Sequence, residues 1–236
     1  MNHTLSTITL ALACIISLPA NADPKTPGTH PGYSSIDMTT AGAPQDIRMI
    51  SVADIKKELE GKAPFAVGLD IDDTSLFSSP VFYRGQQEFS PGGYAYLKSQ
   101  KFWDKANCGW DQFSMPKQIA QKLIKMHQER GDSIYFITGR TGSDCHFTTE
   151  YLQKTFHIKK MHDVIFAGTS RTKYMKTQYI KDHDIKIYYG DADGDIISAR
   201  DAGAEGIRVM RAANSSYKPI PKNGIYGERV LKDSQY

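Results

Sequence analysis

Three stretches of this chain place oxygen-rich side chains directly after short apolar runs. Phe65-Ala-Val-Gly-Leu69 leads into Asp70-Ile-Asp-Asp-Thr74, Ser133-Ile-Tyr-Phe-Ile137 into Thr138-Gly-Arg140, and Ile185-Lys-Ile-Tyr-Tyr189 into Gly190-Asp-Ala-Asp-Gly-Asp195. A carboxylate such as Asp70 is a competent nucleophile toward phosphorus and would form an acyl phosphate. A second carboxylate two residues on, Asp72, falls on the same side of an extended chain. It could protonate a leaving alkoxide and then deprotonate the attacking water. A lone Asp-x-Asp is also what an ordinary turn looks like, so the weight lies in the other two stretches.

Asp191, Asp193 and Asp195 open like a calcium loop, but that loop needs Gly at position six and Glu at position twelve, where this chain has Ile196 and Ala202. A carboxylate cluster beside Asp70 still needs a counter-charge. A hard divalent cation held by oxygens supplies it, and Mg²⁺ suits phosphate chemistry best. Asp70 and Asp191 are the expected side-chain ligands, with the Asp72 main-chain carbonyl as a third and Asp195 as a ligand or an orienting neighbour. The Thr138 hydroxyl and the backbone N–H groups at Gly139 can hold phosphoryl oxygens. Lys176 is the expected cation on the phosphate, with Lys173 as the alternative.

These groups must be carried by something that brings strand ends together. Besides the three runs above, Asp163-Val-Ile-Phe-Ala167 and Gly206-Ile-Arg-Val-Met210 read as buried strands. Between them lie helical patterns. One is capped by Ser114, carries Ile119, Leu123 and Met126 on one face and closes at Gly131; others cover 143–156, 171–182 and 195–202. Strands alternating with helices predict an α/β fold with a parallel sheet covered on both faces. In such sheets ligands bind beyond the carboxyl ends of the strands, where all three stretches fall. The aromatic-rich interval 76–113 interrupts the alternation just after the first strand and is expected to be a small cap. Within it Phe82 and Trp103, together with Tyr217 further on, are candidate walls for an aromatic leaving group.

The 236 residues suit one domain with a small insertion. Hydrophobic residues at 40% and charged ones at 23% are ordinary for a globular core. A dispersed net charge of +3 argues against a nucleic-acid polymer as partner. The uncharged stretch from Leu5 to Leu18, followed by Ala20-Asn21-Ala22, predicts a signal peptide over 1–22 cleaved after Ala22, although Met1-Asn2-His3 lacks the usual positive charge. The run is short for a membrane span, so no membrane association is expected once it is removed. Residues 23–50 are expected as an extended arm, and 51–236 as the main domain beginning with a Ser51-capped helix. Cys108 and Cys145 remain after export. The expectation is two unpaired, partly buried thiols, with a disulfide as the alternative.

Taken together, the ordered motifs resemble the haloacid dehalogenase superfamily of aspartate-dependent phosphotransferases. Asp70-Ile-Asp72-Asp-Thr74, Thr138-Gly139, Lys176, and Asp191 with Asp195 match its four motifs in order. Gly68–Thr74, Leu76–Pro80, Phe136–Arg140, Tyr189–Asp195 and Asn214–Pro219 further resemble the class B acid phosphatases of the bacterial periplasm, over roughly 52–236. Leu69 stands where that family often has Phe, and Gly194 where it often has Asn; neither removes a reacting group.

The resemblance implies a Rossmann-like core, a Mg²⁺ site and a homotetramer. It also implies hydrolysis of organic phosphomonoesters, nucleotides included, and some phosphotransfer to alcohols. Asp70 would be the nucleophile and Asp72 the acid and base. Thr138, Gly139 and Lys176 would bind the phosphate, and Asp191 and Asp195 would hold the metal; within the sequence itself, Arg140 is expected at the phosphate end of the aromatic-walled pocket. A binding protein that captures a nucleotide without turnover is the alternative; a degraded motif would favour it, and none is degraded.

Overall fold

A computed structural model describes residues 30–42 and 46–236. The expected signal peptide and its cleavage site lie outside the described residues. Among those residues no helix is long and apolar enough to cross a membrane.

In chain order the elements are α1 (Ser35–Ala41), β1 (Met49–Ile50), α2 (Val52–Glu58), β2 (Ala66–Leu69), β3 (Leu76–Phe77), α3 (Ser79–Phe89), α4 (Gln100–Asn107), β4 (Met115–Pro116), α5 (Gln118–Arg130), β5 (Ser133–Thr138), α6 (Phe147–Thr155), β6 (Ile165–Phe166), α7 (Lys176–Asp182), β7 (Ile185–Gly190), α8 (Asp193–Asp201), β8 (Glu205–Arg208) and β9 (Arg229–Leu231). Seven strands form a wholly parallel sheet in the order β1-β9-β8-β7-β2-β5-β6. The expected parallel α/β architecture is therefore present. Its core joins Val67, Leu69, Phe136, Ile187 and Ile207 from the sheet to Ile119, Leu123 and Met126 of α5.

The register decides where the chemistry sits. Leu69 of β2 pairs with Phe136 of β5 on one side and with Tyr189 of β7 on the other. In this register the three strands end within two residues of one another, and the Asp70 amide still donates to the Tyr189 carbonyl at 2.9 Å. Gly68 allows this closeness, since a Cβ there would lie 2.5 Å from the Tyr188 ring.

The interval after β2 folds as a separate layer. β3 and β4 pair antiparallel at its base, and Val81, Phe82, Tyr96, Phe102, Trp103 and Ala106 make a small apolar core of their own. Met115–Pro116 is strand, not the first helical turn expected from Ser114; α5 begins at Gln118 after Lys117 and ends as expected at the left-handed Gly131. Pairing with β3 carries the chain as far as Lys117, whose amide donates to the Ser75 carbonyl at 3.0 Å, and the helix starts after it.

Two further expectations differ from the structure. Residues 30–42 and 46–50 are not a simple arm: Ser34 and Asp37 form a capping box on α1, Met38 packs with Ile47, Met210 and Val230, and β1 extends the sheet. Cys108 and Cys145 are joined as a disulfide, with Cα atoms 5.8 Å apart. The bond ties the end of α4 in the cap to the loop after β5.

Candidate active site

The turn after β2 is built by its own backbone and small hydroxyls. Ser75 donates to the Asp70 carbonyl at 2.6 Å, and the Ser75 and Leu76 amides return to Ile71. Asp73 takes a left-handed conformation (φ 58°) that Asp tolerates better than most residues. Asp70 and Asp72 both line one cleft of about 540 Å³ at the strand ends. Thr138, Gly139, Lys173, Lys176, Asp191, Asp195 and Arg211 share that lining. The far wall comes from the cap and the late loop: Phe82, Trp103 and Tyr217. Phe82 meets the Trp103 and Tyr217 rings edge-on, with centroids about 6 Å apart.

The electrostatics centre on Asp70. Lys176, at the start of α7, donates to Asp70 Oδ1 at 2.5 Å and to Asp195 Oδ1 at 2.6 Å. Asp195 fits beside Gly190 only because that residue has no Cβ; one would fall 2.3 Å from the Asp195 Cβ. Burial pushes the Asp70 carboxyl up, Lys176 pulls it down, and Asp195, Asp191 and Asp72 push it up again; the net direction is upward. Lys176 is held firmly cationic: the Asp195 and Asp70 carboxylates outweigh the cost of burial.

Ligand oxygens of Asp70, Asp191 and Asp195 lie within 4.8 Å of one another, and all three residues are buried. Lys176 is the ammonium that reaches into this group, on Asp70 and Asp195. Three converging buried carboxylates, an all-oxygen donor set, fit a hard divalent cation.

The structure brings Asp70, Asp72, Thr138, Gly139, Lys176, Asp191 and Asp195 together, and the three aromatic residues across the cleft from them. Arg140 is placed differently from expectation. Its side chain is fully buried, and its N–H groups go to Asp72 (2.7 and 2.8 Å), Asp111 (2.8 and 2.9 Å) and Asn107 (3.2 Å). With five donors to give, it has none left for a phosphate. It holds Asp72 instead. Burial pushes the Asp72 carboxyl up, but the Arg140 charge and hydrogen bonds, helped by Ser78, leave it below the usual carboxylate range.

Several site residues escaped the sequence reading. Arg211 donates to Asp191 Oδ2 at 2.5 Å and lies over the Tyr217 ring at 4.9 Å, so it links the Asp191 carboxylate to the aromatic wall. Thr74 donates to the other Asp191 oxygen at 3.0 Å. Asp73 accepts from Ser215, and burial with the Asp191 charge lifts its carboxyl to about 6. Lys117 donates to the Asp73 and Met210 carbonyls, and burial lowers it to about 8. Arg211 was discoverable, since it directly follows the fifth apolar run. Nothing local marks Asp111 or Lys117.

Comparison with known proteins now bears on this geometry. The sequence profile of the HAD superfamily, subfamily IIIB (acid phosphatase), matches residues 33–220. A class B acid phosphatase of a Marinomonas species is 84% identical over the full length of both chains. Those of Aggregatibacter actinomycetemcomitans and Haemophilus influenzae are 52% and 50% identical, again over all of both chains. Among relatives of such identity the strand-end carboxylates, the buried lysine and the aromatic cap have a single reading: the chain belongs to the class B acid phosphatases of the HAD superfamily and is a phosphomonoester hydrolase.

Proposed function

We propose that the protein is an exported, Mg²⁺-dependent acid phosphatase that hydrolyses organic phosphomonoesters, nucleotides included, through a phosphorylated Asp70. The observation that carries this is the convergence of Asp70, Asp191 and Asp195 on one point beside Lys176, at the floor of an aromatic-walled cleft.

Asp70 attacks phosphorus as the P–O bond to the leaving group breaks. The Thr138 hydroxyl, the Gly139 backbone and Lys176 line the floor where the phosphoryl oxygens lie. Asp72 rests as a carboxylate; an arriving phosphate anion disfavours that charge and so favours the protonated form needed to donate to the leaving oxygen. In the second half Asp72 takes a proton from water as the Asp70–phosphorus bond breaks. A divalent cation, when bound, would be held by Asp70, Asp191, Asp195 and the Asp72 carbonyl, and would offset repulsion between nucleophile and phosphate.

Phe82, Trp103 and Tyr217 offer sequence-tolerant stacking to a nucleobase or aryl group. An alcohol in place of water accounts for phosphotransfer. We assign 51–236 to the phosphatase domain with 76–113 as its cap, the periplasm as its compartment and a homotetramer as its assembly, on the likeness to the class B family.

Phosphate release from a panel of monoesters, with and without chelator, tests the reading. The expected result is loss of turnover on chelation, recovery with Mg²⁺, and no turnover by Asp70→Asn. Turnover indifferent to chelator would remove the metal, and an active Asp70→Asn enzyme would remove the nucleophile.

A further inference from the structure

The cap contributes more than an aromatic wall. Asp111 lies in the short turn after α4, is completely buried, and does not line the cleft. Its two carboxylate oxygens take the edge of the Arg140 guanidinium formed by the two terminal nitrogens, at 2.8 and 2.9 Å. The neighbouring edge of the same fork holds both oxygens of Asp72. The Thr148 hydroxyl of α6 donates to Asp111 at 2.7 Å, with the Asn107 carbonyl at 3.1 Å from the same oxygen. Asn107 in turn accepts from Arg140 and donates to the Thr141 carbonyl at 2.8 Å.

One guanidinium is thus clamped on two edges by two carboxylates, with a cap residue on the buried side and the catalytic carboxylate on the cleft side. A forked pair fixes a plane as well as a distance. With Asp111 in place, Arg140 has one orientation, and Asp72 inherits it although its side chain is 17% exposed to the cleft. Without Asp111, two buried donors lose their acceptor and the guanidinium is free to turn, taking Asp72 with it.

We propose that Asp111 is a positioning residue for protonation of the leaving group, acting through Arg140 on the Asp72 carboxyl. This rests on reading Asp72 as the acid and base. In the step concerned, Asp70 Oδ forms a bond to phosphorus, the bond from phosphorus to the leaving oxygen breaks, and the Asp72 proton passes to that oxygen. An alkoxide needs the proton in the transition state, whereas p-nitrophenolate leaves without it. Misplacing Asp72 therefore costs the two substrates unequally.

The test compares kcat/KM for an alkyl phosphate and for p-nitrophenyl phosphate in the wild type, Asp111→Asn and Asp72→Asn, all in Mg²⁺. A carboxylate misplaced by about 1 Å costs on the order of 10²-fold. Asp111→Asn is expected to lose about that much on the alkyl substrate and under about tenfold on the aryl one. Equal losses on both substrates, or no loss, would overturn the proposal.

Asp72→Asn separates the two layers. If it too shows no leaving-group selectivity, the acid–base reading of Asp72 fails. If it is selective and Asp111→Asn is not, only the positioning role fails. Should Asp111→Asn not fold, Thr148→Val, which deletes one hydrogen bond to Asp111 at constant volume, is read the same way. Its expected shift in the alkyl-to-aryl ratio is about fivefold, and an unchanged ratio refutes the proposal.

Discussion

Replacing Lys176 with Met removes an ammonium that touches both Asp70 and Asp195, at 2.5 and 2.6 Å. At an effective dielectric of about 20, each contact is worth about 6 kcal/mol of attraction. Relief of the lysine's own desolvation and protonation of an orphaned carboxylate offset most of that attraction, and buried pairs broken on one side lose about 3–5 kcal/mol net. For a chain of this length each kcal/mol moves Tm by about 2–4 °C, so a fall of about 6–20 °C in chelator is expected. The orphaned carboxylates then present a stronger site for a dication. Millimolar Mg²⁺ should raise the Tm of Lys176→Met by more than it raises that of the wild type. Thermal unfolding with and without Mg²⁺, beside phosphate release, reads both effects; turnover should fall even where stability recovers. Equal Tm values in chelator, or equal Mg²⁺ increments in both proteins, would refute the electrostatic account of the site.

Two other predictions concern the scaffold. Burial pushes the Asp132 carboxyl up, but hydrogen bonds from His127, the Phe65 amide and Arg130 outweigh it and hold it low. A lowered folded value adds stability above the unfolded value of about 4 and loses it as pH falls through the folded one. Urea unfolding should therefore find Asp132→Asn less stable than the wild type by about 1–3 kcal/mol at pH 7, with the gap narrowing as pH falls below about 4; a gap constant with pH would contradict this. The Cys108–Cys145 bond closes a loop of sequence separation 37, and chain entropy assigns it about 4 kcal/mol at most. Reductant should lower the wild-type Tm and leave that of Cys108→Ser/Cys145→Ser unchanged, and a wild-type Tm insensitive to reductant would show that the bond carries no stability.

Much of the site was legible because strand-end chemistry is local. An apolar run followed by Asp, Thr-Gly or Asp-x-Asp-x-Asp reports both a buried strand and what leaves its carboxyl end. Asp70, Thr138, Asp191 and Asp195 needed no more than this. Lys176 was legible because a helix between two such strands starts at the same rim. The capping box at Ser51 and the left-handed stop at Gly131 are likewise decided within four residues. The short strands β1, β3, β4 and β9 were not legible: runs of two or three residues carry no periodicity, and what makes them strands is a partner far along the chain.

By itself, then, the sequence determined the parallel α/β class and the order in which Asp70, Thr138, Asp191 and Asp195 reach one rim. Only the tertiary structure decided what each cation faces. Arg140 directly follows Thr138-Gly139, and its position alone suggests a phosphate ligand. It turns inward because Asp111, 29 residues earlier in a cap with its own aromatic core, offers it a second carboxylate where no water competes. The Cys108–Cys145 bond and the Arg211–Asp191 pair arise in the same way. Side-chain pairing in a buried site is set by which elements pack, and packing is a property of the whole chain.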